Sequence, residues 1–177
     1  LDAAKELEWV QSTSSGVDHY DTERLKHDGI ALTSAAGITA EPIAEQVVTY
    51  MLTFERNLHL AFRRQTNRRW ERFPAGELRE KTVGIIGVGA IGSRVAEFCT
   101  AFDMRVLGTK QDTADVPEAV DKIYPAEELH TVLGKSDYVV ISCPLTDDTR
   151  KLFTIKEFTN SMKGSAVLIN IARGEIV

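Results

Sequence analysis

Gly87-Val88-Gly89-Ala90-Ile91-Gly92 lies between an apolar run, Val83-Gly84-Ile85-Ile86, and a stretch of helix-forming residues that opens at Ala90. A G-x-G-x-x-G turn between a strand and a helix is a phosphate cradle. Gly87 permits the tight turn, Gly89 lets backbone approach a pyrophosphate, and Gly92 lets the helix pack closely on the strand. A helix starting near Ala90 also directs unpartnered N–H groups and the positive end of its dipole at the phosphates. The chemistry implied is dinucleotide binding.

Further residues extend that site. In a dinucleotide-binding unit the end of the second strand meets the adenosine ribose, and an acid there favours a free 2′-hydroxyl. Here the run Arg105-Val106-Leu107-Gly108 leads into Thr109-Lys110-Gln111, with no carboxylate before Asp112. A cation beside a hydroxyl suits a 2′-phosphate, so the sequence leans toward NADP, with NAD as the alternative if Asp112 reaches the ribose. Arg173 follows the apolar strand ending at Asn170 and should emerge at the carboxyl edge of the sheet, where ligands bind in open α/β folds. A guanidinium there can grip a carboxylate through two parallel hydrogen bonds, or it can pair with Glu175. Cys143 precedes Pro144 at the end of another strand and can line the cofactor site, although nothing near it in sequence activates a thiolate. The histidines His19, His27, His59 and His130 fall on helices or their flanks and suit solvated or packed roles. No metal-ligand spacing is present, and no metal is expected.

Composition narrows the class. The 177 residues suit one domain, or one domain and part of another, and a hydrophobic content of 43% supports a packed core. A formal net charge of −5 argues against general nucleic-acid affinity. The arginines 56, 63, 64, 68, 69, 72 and 79 crowd one region, where a solvated face or interface rim is the simpler reading than a nucleic-acid surface. Cys99 and Cys143 lack the paired spacing of a disulfide framework. With no long uncharged apolar run and no signal-peptide pattern, a cytoplasmic location and no membrane partner are expected.

Strands are expected over 83–87, 105–108, 138–142 and 167–170, with helices over 93–102 and 125–133, and 122–124 as a possible short edge strand. That alternation predicts parallel βαβ units. Upstream, a long helix over 42–66, with Pro42 in its first turn, is apolar nearly all round across 47–54. Such a helix must be buried on more than one side, against a sheet and either a second domain or a second subunit. Two short strands, at 8–13 and 30–34, around a helix at 22–28 look like the end of another α/β unit. The expected division is therefore 1–37 and 38–177.

Taken together, the glycine turn, Cys143-Pro144-Leu145-Thr146 and Asn170-Ile171-Ala172-Arg173-Gly174 resemble the D-isomer-specific 2-hydroxyacid dehydrogenase family in order and spacing. Ser14-Ser15-Gly16-Val17-Asp18 resembles that family's substrate-domain loop, and 37–45 resembles the entry to its interdomain helix. The resemblance implies a Rossmann-like, doubly wound parallel sheet, incomplete at its C-terminal side, with a remnant of an α/β substrate domain over 1–37. It implies NAD(P)-dependent reduction of a 2-keto acid to the D-2-hydroxy acid. Arg173 would bind the substrate carboxylate and polarise the carbonyl, and Ser15 and Gly16 would offer backbone amides to the same carboxylate. The amides of Ala90 and Ile91 would meet the pyrophosphate, Thr109 and Lys110 the adenosine ribose or its phosphate, and Cys143 and Ile171 the nicotinamide half. The long helix and the arginine-rich loop with Trp70 would build a homodimer. Many members carry an arginine at the Ala90 position, and the family's general-acid histidine lies beyond the motif containing Arg173. On that reading the chain is a central fragment, inactive alone because carbonyl reduction also needs a proton donor. The alternative of another class is a corepressor-like protein of the same fold that senses NAD(P)H. A methyltransferase-like nucleotide fold would explain the glycine turn alone.

Overall fold

A computed structural model describes residues 4–177, which divide into two compact units, one ending at Ala40 and the other spanning Glu41–Val177. In the first, β1 (Trp9–Gln11) and β2 (Ala31–Thr33) pair in parallel across α1 (Thr22–His27). Asp21 starts α1 by accepting the Arg24 amide on its side chain, and Leu25 is the helix's buried residue.

The second unit opens with α2 (Ala40–Glu55) and α3 (Leu58–Thr66), followed by the chain to β3 (Thr82–Ile86). From there α4 (Ala90–Ala101), β4 (Arg105–Thr109), β5 (Lys122–Tyr124), α5 (Leu129–Lys135), β6 (Tyr138–Ile141) and β7 (Val167–Asn170) follow in sequence. The five strands form one parallel sheet in the order β5-β4-β3-β6-β7. β3 lies at its centre, and every residue of that strand is buried.

Side-chain alternation along the strands sends alternate residues to opposite faces. On one face Val83, Ile85, Val106 and Val140 pack with Val47 and Met51 of α2 and Val95, Ala96 and Cys99 of α4. On the other, Ile86, Leu107, Val139 and Ile141 meet Leu129, Val132 and Leu133 of α5 together with Phe153 and Ile176. Helices therefore cover both faces, as a sheet of apolar parallel strands requires.

Two expectations about helices need correction. The helix over 42–66 is interrupted: Asn57 takes the left-handed conformation (φ 53°), and α3 starts anew beyond it. The following chain folds back to terminate α2. Gly76 donates its amide to the Glu55 carbonyl (2.9 Å), Arg56 donates to the Gly76 carbonyl (3.0 Å), and Asn57 donates its side-chain amide to the Pro74 carbonyl (2.8 Å). Apolar periodicity carries no information about such a nonlocal cap. The helix at 125–133 instead begins with a tight turn at Ala126–Glu128, after Pro125 in extended backbone, and becomes α-helical only at Leu129. The stretch 147–165, for which no element was predicted, holds a π-helical turn at Glu157–Ser161.

Polar ties close the amino edge of the sheet. Tyr138 donates its hydroxyl to Glu55 (2.7 Å), which also pairs with Lys81 (3.0 Å), so β6, α2 and the start of β3 meet at one carboxylate. Asp137 accepts the Thr82 amide (2.9 Å) and the Lys163 ammonium (2.8 Å). Burial pushes the Asp137 carboxyl up, but those two donors outweigh it and hold it below its ordinary value of 3.8. A depressed carboxyl contributes stability that is complete above the unfolded value and fades as pH falls through the folded one. Asp137→Asn should therefore lower the melting temperature at neutral pH, and the gap to wild type should narrow as pH falls below 3.8. A gap independent of pH in thermal denaturation would remove the charge from the explanation.

Candidate functional site

The sheet reverses its winding between β3 and β6, which are neighbours although β4 and β5 intervene in sequence. A crevice opens at the carboxyl ends of strands at such a switch point. Here it is a cleft of about 480 Å³, within the range of small-molecule sites. Gly87, Val88 and Gly89 form its floor, Thr109, Lys110, Gln111 and Asp112 one wall, and Ser142, Cys143 and Pro144 the other. Ala126, Leu129 and Leu152 add apolar surface suited to a flat base.

Each glycine of the turn has a distinct reason to be glycine. Gly87 has φ +93°, and a Cβ there would lie 2.6 Å from the Cys143 backbone. A Cβ on Gly92 would lie 2.6 Å from the Gly87 carbonyl oxygen and 3.0 Å from Ile85. Gly89 differs, because a Cβ there meets no atom within 4 Å. Its missing side chain leaves space at the cleft, where α4 begins. No side chain caps that helix, and Gly89 contributes to its start only through its carbonyl, which accepts the Ser93 amide (2.8 Å). This geometry fits a pyrophosphate: backbone donors, a helix dipole and open room above a glycine.

Neighbouring groups hold the turn. The Thr109 carbonyl accepts from the amides of both Gly87 (3.1 Å) and Val88 (3.2 Å), and Ser142 donates its hydroxyl to the Gly87 carbonyl (2.7 Å). Beyond Cys143 the chain is folded by Thr149, which donates to the Pro144 carbonyl (2.7 Å) and accepts the Thr146 amide (2.8 Å). Ser142 and Thr149 are absent from the sequence-based set. A hydroxyl at a strand end has no motif of its own, and only the partner across the turn gives it a role.

Lys110 lines the cleft, with its ammonium paired to the Asp115 carboxylate at 3.1 Å. Asp112 also reaches the cleft wall, but its carboxylate accepts the Ala114 amide (3.0 Å) and so closes its own turn. Thr109 and Cys143 are both buried, and burial pushes the Cys143 thiol up, which makes it a poor nucleophile. Ile171 donates its amide to the Ile141 carbonyl (3.2 Å), which sets it at the sheet's carboxyl edge.

Arg173 is half-buried just past β7. Glu175, the acid nearest to it in the sequence, pairs with Arg150 at 2.6 Å. One Arg173 nitrogen donates to the Ala172 carbonyl (3.0 Å). Asn170 shapes the turn by accepting the Ala172 amide (3.0 Å) and donating to the Arg173 carbonyl (2.9 Å). In the first unit, Ser15 and Gly16 occupy the loop after β1. The Ser15 hydroxyl lies 3.3 Å from the Ala35 carbonyl, and Ser14 donates to the Gly16 carbonyl (2.9 Å).

Within the second unit, neither His59 nor His130 lines the cleft. His19 and His27 are exposed, His59 stands against Phe54, and His130 bonds to Ser161 (2.8 Å). Among the described residues no cluster of His, Cys, Asp or Glu could hold a metal, and no helix is long and apolar enough to cross a membrane. Several of the crowded arginines are paired: Arg64 with Glu71, Arg79 with Asp103, and Arg56 with the Gly76 carbonyl.

Residues 48–177 match the family model described as D-isomer specific 2-hydroxyacid dehydrogenase, NAD binding domain. The chain belongs to that family. It is 33% identical over its whole length to a glyoxylate reductase of Thermofilum pendens, of which it covers 54%. The structure of a D-isomer specific 2-hydroxyacid dehydrogenase family protein from Aeromonas salmonicida superposes with a TM-score of 0.89 at 32% identity, over 100% of this chain and 56% of that one. A D-lactate dehydrogenase from Aquifex aeolicus, complexed with NAD and lactic acid, superposes at 0.86 with 30% identity, over 97% of this chain and 51% of that one. The chain thus spans about half the length of such relatives. The matched unit is the one that binds NAD in this family, in agreement with the glycine turn and its cleft.

The geometry separates two glycine substitutions. Gly89→Ala should keep the melting temperature within a few degrees of wild type while weakening dinucleotide binding by tenfold or more, roughly the cost of filling a contact surface. Gly92→Ala should lower stability by about 1–3 kcal/mol through overpacking. Fluorescence titration with NADH or NADPH and thermal denaturation read the two effects. Wild-type affinity in Gly89→Ala would mean that the pyrophosphate does not pass over this glycine.

Proposed function

We propose that the protein is an NADP-preferring oxidoreductase that reduces small 2-keto acids to D-2-hydroxy acids. The observation that carries the reading is the occurrence, at one carboxyl edge of the sheet, of the glycine-turn cleft and of Arg173 in the turn after β7. A bound nicotinamide supplies the hydride; the protein binds, orients and polarises.

In this reading the amides of Ala90 and Ile91 hold the pyrophosphate over Gly87, Gly89 and Gly92. Thr109 and Lys110 receive the adenosine ribose and its 2′-phosphate, which a carboxylate in the place of Lys110 would repel. The backbones of Cys143 and Ile171 border the nicotinamide half. Arg173 binds the substrate carboxylate through parallel charge-assisted hydrogen bonds and draws charge toward the carbonyl oxygen. Asn170 acts as a positioning residue by fixing the turn from which Arg173 projects. The first unit is the C-terminal part of a substrate-binding domain, whose Ser15 and Gly16 amides suit a carboxylate. The proton for the alcohol comes from a group other than the four histidines described above.

The same reading includes a homodimer through α2, α3 and the loop after them. Tyr50 and Phe54 on the outer face of α2 are about half exposed, α3 has no buried residue, and Trp70 is 94% exposed. That apolar surface supports a second copy of the chain as its cover. A cytoplasmic location suits the free, buried thiols of Cys99 and Cys143.

In the intact protein, Arg173→Gln should lower kcat/KM for glyoxylate-like 2-keto acids roughly a hundredfold while leaving NADPH affinity within about twofold. Equal losses in substrate and cofactor binding would make Arg173 structural, and no turnover by the intact wild-type protein with any 2-keto acid would end the enzyme reading. In sedimentation, wild type should be a dimer and Trp70→Ser combined with Phe62→Ser a monomer that retains its melting temperature. A monomeric wild type would refute the assembly.

A further inference from the structure

The wall of the cleft at the end of β4 contains an ion pair with an unusual position. Lys110 is the cation offered to the adenosine ribose, and its ammonium is held by Asp115, five residues further along the same loop, through the carboxylate (3.1 Å) and the backbone carbonyl (3.3 Å). The Lys110 side chain is 27% exposed, whereas that of Asp115 is 83% exposed. The lysine is therefore seated in the wall, and the carboxylate reaches it from solvent. Of the acids that line the cleft, Asp112 accepts the Ala114 amide and Asp148 lies on the stretch after Pro144. Among the described residues, the carboxylate that pairs with Lys110 is that of Asp115.

We propose that Asp115 is an internal mimic of the 2′-phosphate that competes for Lys110 and sets the protein's discrimination between phosphorylated and unphosphorylated adenosine cofactors. The inference rests on the assignment of Lys110 to the adenosine ribose. Where no phosphate meets Lys110, the Asp115 carboxylate neutralises it, which leaves the wall tolerant of a cofactor with a free 2′-hydroxyl. A dianionic phosphate displaces the carboxylate, because it carries more charge and presents more acceptor oxygens to the ammonium. The exposed carboxylate then returns to water at small cost, since a surface pair of this kind is weak. Affinity for the 2′-phosphate is reduced by the strength of the pair, and affinity for the unphosphorylated nucleotide is not.

The test is calorimetric titration of the protein with adenosine 2′,5′-bisphosphate and with 5′-AMP, in wild type, Asp115→Asn, Lys110→Gln and the double variant. Asp115→Asn should tighten the bisphosphate roughly two- to fivefold, the range expected from releasing an exposed ion pair, and leave 5′-AMP within twofold. In the Lys110→Gln background the same substitution should give no selective gain. An unchanged bisphosphate affinity in Asp115→Asn, or an equal gain without Lys110, overturns the proposal. The two layers fail differently. If Lys110→Gln weakens the bisphosphate but Asp115→Asn has no effect, only the mimic is wrong. If Lys110→Gln does not alter the bisphosphate-to-AMP ratio, the ribose assignment falls, and the inference with it.

Discussion

The backbone at Gly87 runs against the backbone at Cys143, and the rest of the second unit is arranged around that approach. A Cβ on Gly87 or on Gly92 would sit inside the contact distance of main-chain atoms that cannot move away without disturbing the sheet. Because both positions lack one, α4 descends onto β3 and the turn closes against β6. Ser142 locks the arrangement by donating across it to the Gly87 carbonyl. The carboxyl ends of β3 and β6 then flank a crevice, and a helix N-terminus points into it. Binding of an extended anion follows from this packing, because the donors are backbone groups whose positions the core dictates.

The opposite edge of the sheet does complementary work. Glu55, Tyr138 and Lys81 join the end of α2 to β6 and β3, while Asp137 ties the start of β3 to Lys163 before β7. Burial and the neighbouring Glu55 carboxylate push the Tyr138 hydroxyl up, so it stays protonated and remains a donor. On the outside of α2, Arg94 of α4 grips Glu41 with two nitrogens, one at 2.8 Å, and lies over the Phe98 ring. Fixed charges at this edge and at the helix surface hold the layers in register.

The family's resemblance was legible in short motifs because each reflects a local requirement. The glycine turn needs its residue types regardless of what surrounds it, and the apolar runs of β3, β4, β6 and β7 announce buried parallel strands by composition. The break at Asn57 was not legible, since the groups that terminate α2 come from Pro74 and Gly76, well beyond it in the chain. Neither was the engagement of Glu175 by Arg150, 25 residues earlier in the chain. In both cases a residue's role is decided by a partner that periodicity cannot supply.

By itself the sequence indicated the class of fold, the position of the phosphate cradle, and the candidates Lys110, Cys143 and Arg173 at strand ends, with Ile171 added by the family resemblance. Those readings depend on residue type and spacing, which local chemistry controls. Only the tertiary structure decided which glycine is there for packing and which for open space, that Ser142 and Asn170 hold the turns, and that Lys110 is already paired with Asp115. Those are distances between groups remote in the chain or placed by a loop's path. They exist only after the layers have packed and the free energy of the whole sheet has chosen where each side chain ends.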